Sequence, residues 1–202
     1  AQGLLDLYRA DFDPQHLQRA ALLAGELVEY FMDEKNGRLF DTAKGAEDLG
    51  VRPRTTFDGA LPSPNAVALG VLARIHRLTG EPLWEQAARV QLAGLAKEVA
   101  RYPAGYCALL QSAALLLEPA SELVITGGME DAATKELLAA ARRHCPPETS
   151  LLLRTPRTAP SLDELAPYTK EMDAAEPAAR LCENGACKLP MKDAQELQKA
   201  LC

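Results

Sequence analysis

Between Phe57 and Ala68 the chain reads FDGALPSPNAVA, which sets an acid (Asp58), a hydroxyl (Ser63) and an amide (Asn65) within one short stretch. Carboxylates move protons and amides bind hydroxyls, so this set suits a pocket for a polar ligand. Asp58 is the acid/base candidate. Asp41, Arg52, Arg54, Ser63 and Asn65 are the substrate-binding candidates, because they lie in or beside the same polar loop. The same residue types also build turns and caps. Asp58-Gly59 makes a turn, Ser63 caps the helix that Pro64 opens, and Asn65 bonds back to the loop. A glycosidase needs two carboxylates, and this stretch offers one.

The second chemical feature is LCENGACK, residues 181–188. Asn184-Gly185 is the strongest short hairpin signal. A two-residue turn there pairs Glu183 with Ala186 and sets Cys182 opposite Cys187 at a non-hydrogen-bonded position. Cα atoms in such pairs lie ~4.5 Å apart, within the range a disulfide accepts. A bridge across strands is easily reduced. Three readings stay open: a redox-labile disulfide, two reduced thiols steadying a hairpin, or a zinc site. Zinc wants about four ligands, for which His144, Cys145 and Cys202 are the remaining helpers; the expectation is no metal and no cofactor.

Other motifs read as structure. Gly127-Gly128 joins a strand to a helix, but G-x-G-x-x-G and the P-loop lysine are absent. His16, His76 and His144 lack neighbours that would make a triad, and G-x-S-x-G is absent. Trp84 falls on a core stripe.

Composition excludes several classes. The chain has 202 residues, 48% hydrophobic and 25% charged, with net charge −6. No Lys/Arg stripe suits a nucleic-acid backbone. No apolar run approaches the ~20 residues that span a bilayer. Five cysteines are too few for a disulfide scaffold. The expected setting is cytoplasmic, with neither nucleic acid nor membrane as partner. The opening AQGLLDLYRADFDP starts on helical, apolar sequence without Met, as expected of a piece of a longer protein.

These residues are positioned by helices first. Asp13-Pro14 opens a helix whose stripe includes Leu17, Ala24 and Phe31, ending at Asn36-Gly37. Thr42 to Gly59 is a long polar loop. A helix from Ser63-Pro64 to Thr79 and another after Gly80-Glu81-Pro82 form an αα-hairpin. The second carries Trp84, Ala88, Leu92, Leu95 and Val99 on one face. Tyr106 to Leu117, apolar nearly all round, should be a buried helix. ELVIT (122–126), a helix over 129–144 and SLLLR (150–154) make a parallel βαβ unit. A hairpin over 179–189 and a helix capped by Asp193 follow. The fold class is α+β, mainly α, with helical hairpins over 1–119 and a small α/β module over 120–202.

Three segments in order, GLLDLYRADFD with GRLFDT, then DGALPSPNAVALGVLARI with LTG, then LCENGACKLP, resemble the YyaL family, also called the spermatogenesis-associated thioredoxin-domain proteins. The resemblance implies a thioredoxin-like domain followed by a six-hairpin, (α/α)6 toroid similar to N-acylglucosamine 2-epimerases. This chain would supply an incomplete toroid from the C-terminal part. Where the family reads PSGN or PSAN, this chain has Pro62-Ser63-Pro64-Asn65, which removes a backbone donor near any bound anion.

Two functions follow as expectations. One is a carbohydrate-binding or carbohydrate-processing part, epimerase- or glycosidase-like, with Asp58 as acid/base, a sugar as ligand, and the piece inactive alone. The other is a non-catalytic, redox-linked scaffold that works with a thioredoxin-like domain through Cys182 and Cys187. Exposed toroid surface would also favour self-association of the piece.

Overall fold

The computed structural model describes residues 1–46, 50–119, 121–183 and 186–201. The expected turn at Asn184-Gly185 and the zinc helper Cys202 lie outside them. The fold is α+β and mainly α: α1 (Gln2–Asp11), α2 (Pro14–Phe31), α3 (Pro64–Thr79), α4 (Pro82–Arg101), α5 (Cys107–Leu117), β1 (Ser121–Thr126), α6 (Ala132–His144), β2 (Ser150–Arg154), α7 (Ala159–Leu165), β3 (Ala178–Glu183), β4 (Ala186–Cys187) and α8 (Ala194–Leu201). The chain divides into two compact units. One comprises Ala1–Leu5, Gln18–His76 and Glu81–Glu118, the other Asp6–Leu17, Arg77–Gly80 and Pro119–Cys202. The second unit thus draws two short pieces from the helical half.

In the first unit, α3 and α4 are the expected hairpin. Val71, Leu72, Ile75, Leu95 and Leu109 are buried in its core. Gly80 takes the left-handed φ of +72° that ends a helix. Glu81 caps α4, its carboxylate accepting from the Leu83 N–H at 3.3 Å. The buried face of α4 is Ala87, Ala88, Gln91 and Leu95, and Trp84 is half-buried. Helix α5 is less buried than its composition suggests. Leu109, Ala113 and Leu116 face inward, while Leu110 and Leu117 are exposed. Spacings of three and four select one stripe of a helix, so an all-apolar sequence can still bury a single face.

Helix α2 stops at Phe31, before Asn36-Gly37. A Met32–Leu39 bridge closes a small turn there, with Gly37 at φ +70°. A Cβ on Gly37 would lie 2.7 Å from the Val90 and Gln91 backbone, and one on Gly94 would lie 1.9 Å from the Asn36 carbonyl oxygen. These two glycines let the turn sit directly on α4.

The second unit holds a sheet ordered β2-β1-β3-β4. β1 and β2 are parallel, as the βαβ reading requires, with Leu123 opposite Leu151 and Ile125 opposite Leu153. β3 joins the other edge of β1 in antiparallel register, with Glu122 opposite Cys182 and Val124 opposite Arg180. Both faces of β1 are covered, since every residue from Glu122 to Thr126 is buried, which explains its unbroken apolar run. Asp131 caps α6 by accepting from the Ala133 N–H at 2.9 Å. Gly127 has φ +119°, and a Cβ there would meet Thr134 Oγ1 at 2.2 Å. Gly127-Gly128 therefore makes a tight turn in which the first glycine is sterically required.

Candidate functional site

The loop residues come together, but on the protein's own backbone. Asp58 is half-buried. One carboxylate oxygen accepts from the Ser63 N–H and the other from the Ala108 N–H, each at 2.8 Å. Its own N–H donates to the Gly105 carbonyl at 2.9 Å. Asp58 thereby caps the start of α5 and ties it to the turn before α3. Ser63 accepts the Ala66 N–H on its hydroxyl at 3.2 Å, the expected cap of α3.

Asn65 is fully buried. Its carbonyl oxygen accepts the Leu39 N–H at 2.9 Å, and its amide donates to the carbonyls of Leu39 (3.2 Å) and Thr55 (3.0 Å). Gln91 on α4 donates to the Asn65 backbone carbonyl at 2.9 Å. Asp41 accepts from the Thr55 N–H and hydroxyl. Arg52 donates to the carbonyls of Tyr30 and Thr42. Arg54 pairs with Asp33, and both guanidinium groups lie under 4 Å from the centre of the Phe40 ring, at 3.8 and 3.9 Å. The backbone N–H of Lys35 is the main influence holding the Asp33 carboxyl below its ordinary pKa, with Arg54 adding to it. All six candidates spend hydrogen-bonding capacity on the protein itself: Asp41, Arg52, Arg54 and Asn65 on the loop before α3, and Asp58 and Ser63 on helix starts.

Two participants carried no motif. Gln91 is fully buried on the apolar stripe of α4; a polar residue at a core register was the available signal. Glu98 bonds Arg38 at 2.6 Å and accepts from Thr56 at 3.2 Å and Tyr106 at 3.4 Å. Beside it, Phe57 stacks parallel to Tyr102 and edge-on to Tyr106. Phe57 fits there because Gly105 has no Cβ, which would fall 2.0 Å from the ring. A groove of about 220 Å³ between α3 and α5 is lined by Ala66, Gly70, Arg74, Gln111 and Ser112, among others, and by none of the six candidates.

The cysteines stand differently. Cys182 lies opposite Cys187 across β3 and β4, with a Cα–Cα distance of 3.8 Å and their sulfurs joined as a disulfide. The Lys188 N–H donates to the Leu181 carbonyl at 2.9 Å, so the pair occupies a non-hydrogen-bonded position of the ladder. Cys182 is 2% exposed, whereas Cys187 is exposed. Cys107 and Cys145 are free thiols, and burial pushes the Cys145 thiol up. Among the described residues no group of three or more His, Cys, Asp or Glu could hold a metal ion, and no helix is long and apolar enough to cross a membrane.

One buried acid adjoins this pair. Glu122 is 8% exposed on β1, in register between Ser150 of β2 and Cys182 of β3. Burial pushes its carboxyl up to about 6, with Arg77 pulling the other way.

Comparison with known proteins bears out the resemblance drawn from the ordered motifs. The chain is 29% identical over 203 aligned residues to spermatogenesis-associated protein 20 of Mus musculus and of Rattus norvegicus, and 28% identical to that of Homo sapiens. Each match covers 99% of this chain and 26% of the relative, so the chain spans about a quarter of the length of the curated proteins it matches. No family model matches, and no solved structure matches.

Proposed function

We propose that this chain is a non-catalytic module of a larger thioredoxin-domain protein, and that its Cys182–Cys187 bridge exchanges with the dithiol of a thioredoxin-like domain. The observation that carries this reading is the placement of the bridge. It lies at the free edge of the sheet, with one half on the surface, and access to sulfur governs thiol–disulfide exchange. The polar loop supports the same reading from the other side. Neither oxygen of Asp58 is free of a backbone donor, so the best acid/base candidate serves as a staple. The test is thiol alkylation of the unfolded, unreduced chain followed by mass spectrometry. Protection of Cys182 and Cys187, lost on treatment with a dithiol, is the expected result; full labelling of both before reduction rejects the reading.

Sugar binding is a second reading, favoured by the half-exposed rings of Phe57 and Tyr102 (49% and 56%) beside the Glu98 carboxylate. Aromatic faces with a polar rim suit a saccharide. A screen of sugars and sugar phosphates, read by quenching of tyrosine fluorescence and repeated with Tyr102→Ala, tests it; identical responses of both proteins count against this surface.

A further inference from the structure

We infer that exchange at the Cys182–Cys187 bridge is directional: an external thiolate attacks Cys187, Cys182 is the leaving sulfur, and Glu122 supplies the proton that Cys182 takes up. This inference rests on the exchange proposed above and specifies its chemistry.

The direction follows from burial. Attack on a disulfide is in line with the S–S bond and needs room behind the sulfur that is struck. Cys187, on the exposed two-residue edge strand, offers that approach. Cys182, 2% exposed on a strand flanked on both sides, does not. Charge adds little selectivity at the open end, because Lys188 is already paired with Glu183 at 3.0 Å.

A leaving thiolate generated in a buried position is costly without a proton or a positive partner. The sheet register provides the proton source. Residues directly opposite on neighbouring strands project from the same face with Cβ atoms ~4.5–5.5 Å apart, and Glu122 is the residue opposite Cys182. A carboxyl raised to about 6 is partly protonated near neutrality and remains acidic enough to give its proton to a thiolate. Among the described residues, the charged or titratable groups that act on or feel Glu122 include Arg77 from the end of α3 and Tyr168 from the turn after α7. Arg180 lies on the same sheet face, two residues before Cys182.

The step balances. A thiolate of the dithiol bonds to Cys187 Sγ, the Cys182–Cys187 bond breaks, and its electron pair stays on Cys182 Sγ. Glu122 protonates that sulfur and is reprotonated by solvent. The second thiol, after losing its proton to water, attacks the mixed disulfide, and Cys187 leaves and takes a proton from water. The dithiol is oxidised by two electrons and the bridge reduced by two.

The experiment uses the wild-type chain, glutathione as the attacking thiol, rapid trapping with N-ethylmaleimide, and cleavage after Glu183 to separate the two cysteines. Glutathione on Cys187 and maleimide on Cys182, in about tenfold excess over the reverse, is expected. Equal amounts, or glutathione mainly on Cys182, overturn the inference while leaving the exchange itself intact. Absence of any bridge to attack rejects the proposed function instead. The role of Glu122 is read from the rate constant per attacking thiolate across about pH 5 to 8. It should fall severalfold with rising pH in wild type and stay level in Glu122→Gln. Folding of the variant is checked by its circular dichroism spectrum and its unreduced bridge; parallel profiles in two folded proteins overturn that role.

Discussion

The 40–58 loop and the 178–191 hairpin are each dense in side chains able to do chemistry, and they deploy them in opposite ways. In the loop, carboxylates, amides and guanidinium groups converge, and the bonds described above join them to backbone groups and to one another. A long polar loop leaves many peptide groups without a strand or helix partner, and buried ones must be paired. Asp41 and Asn65 supply that pairing at Thr55, and Asp58 does the same for the turn before α3 and the start of α5. In the hairpin, backbone pairing is already met by β3 and by Met191, which bonds Ala179 in both directions at 2.8 Å. The cysteines there are spare, and one of them faces outward. Density of polar residues therefore marks architectural demand; a reactive group with nothing structural left to satisfy is the better pointer to chemistry.

The largest effect that could break this contrast is expected at Asn65. Replacing it with alanine strands the Leu39 N–H and the Leu39 and Thr55 carbonyls, and should cost about 4 kcal/mol, measured by urea titration. A loss under about 1 kcal/mol would mean that the loop does not depend on it. Asp58→Ala removes two charge-assisted caps and should cost about 3 kcal/mol. Asp58→Asn should fall between, since an amide retains one acceptor; a variant as stable as wild type would return Asp58 to the ranks of free acids.

On the other side, Glu122 should make stability depend on pH. Its folded pKa, about 6, lies above the ordinary 4.5, so the folded chain holds the proton more tightly than the unfolded one. The stabilisation is present in full below the lower value and is lost as pH rises through the upper one. The 1.5-unit gap (6 − 4.5) is worth about 2 kcal/mol. Melting temperatures of wild type and Glu122→Gln should diverge across that window, and a constant difference would argue against it. The smallest effect should come from reducing the bridge. The loop it closes is short, with a sequence separation of five, and chain entropy then gives no more than about 2 kcal/mol. A cooperative collapse on reduction would make the pair a structural staple and erase the contrast with the loop.

Much of this could be read from residue order. Proline and glycine placed the α3–α4 turn, and the two apolar runs either side of α6 gave a parallel pair. Opposed cysteines followed from the period of two in a hairpin. What escaped depends on distant neighbours. Nothing local in ELVIT says that its other edge accepts β3, which brings Glu122 beside Cys182. Nothing in DGALPSPN says that Ala108, fifty residues on, presents its N–H to Asp58. Helix α5 shows the converse limit, because hydrophobicity reports what could be buried and not what has a neighbour to bury it.

The two-way bond between Met191 and Ala179 bounds what opening the bridge can do. Met191 is buried and bonded to Ala179 whatever the state of the sulfurs, so this anchor does not depend on the bridge. Helix α8, anchored downstream by buried Leu197, stays in place. A change in oxidation state would then bear on the two-residue edge strand β4 and leave the pairing of β1 with β2 and β3 as it is.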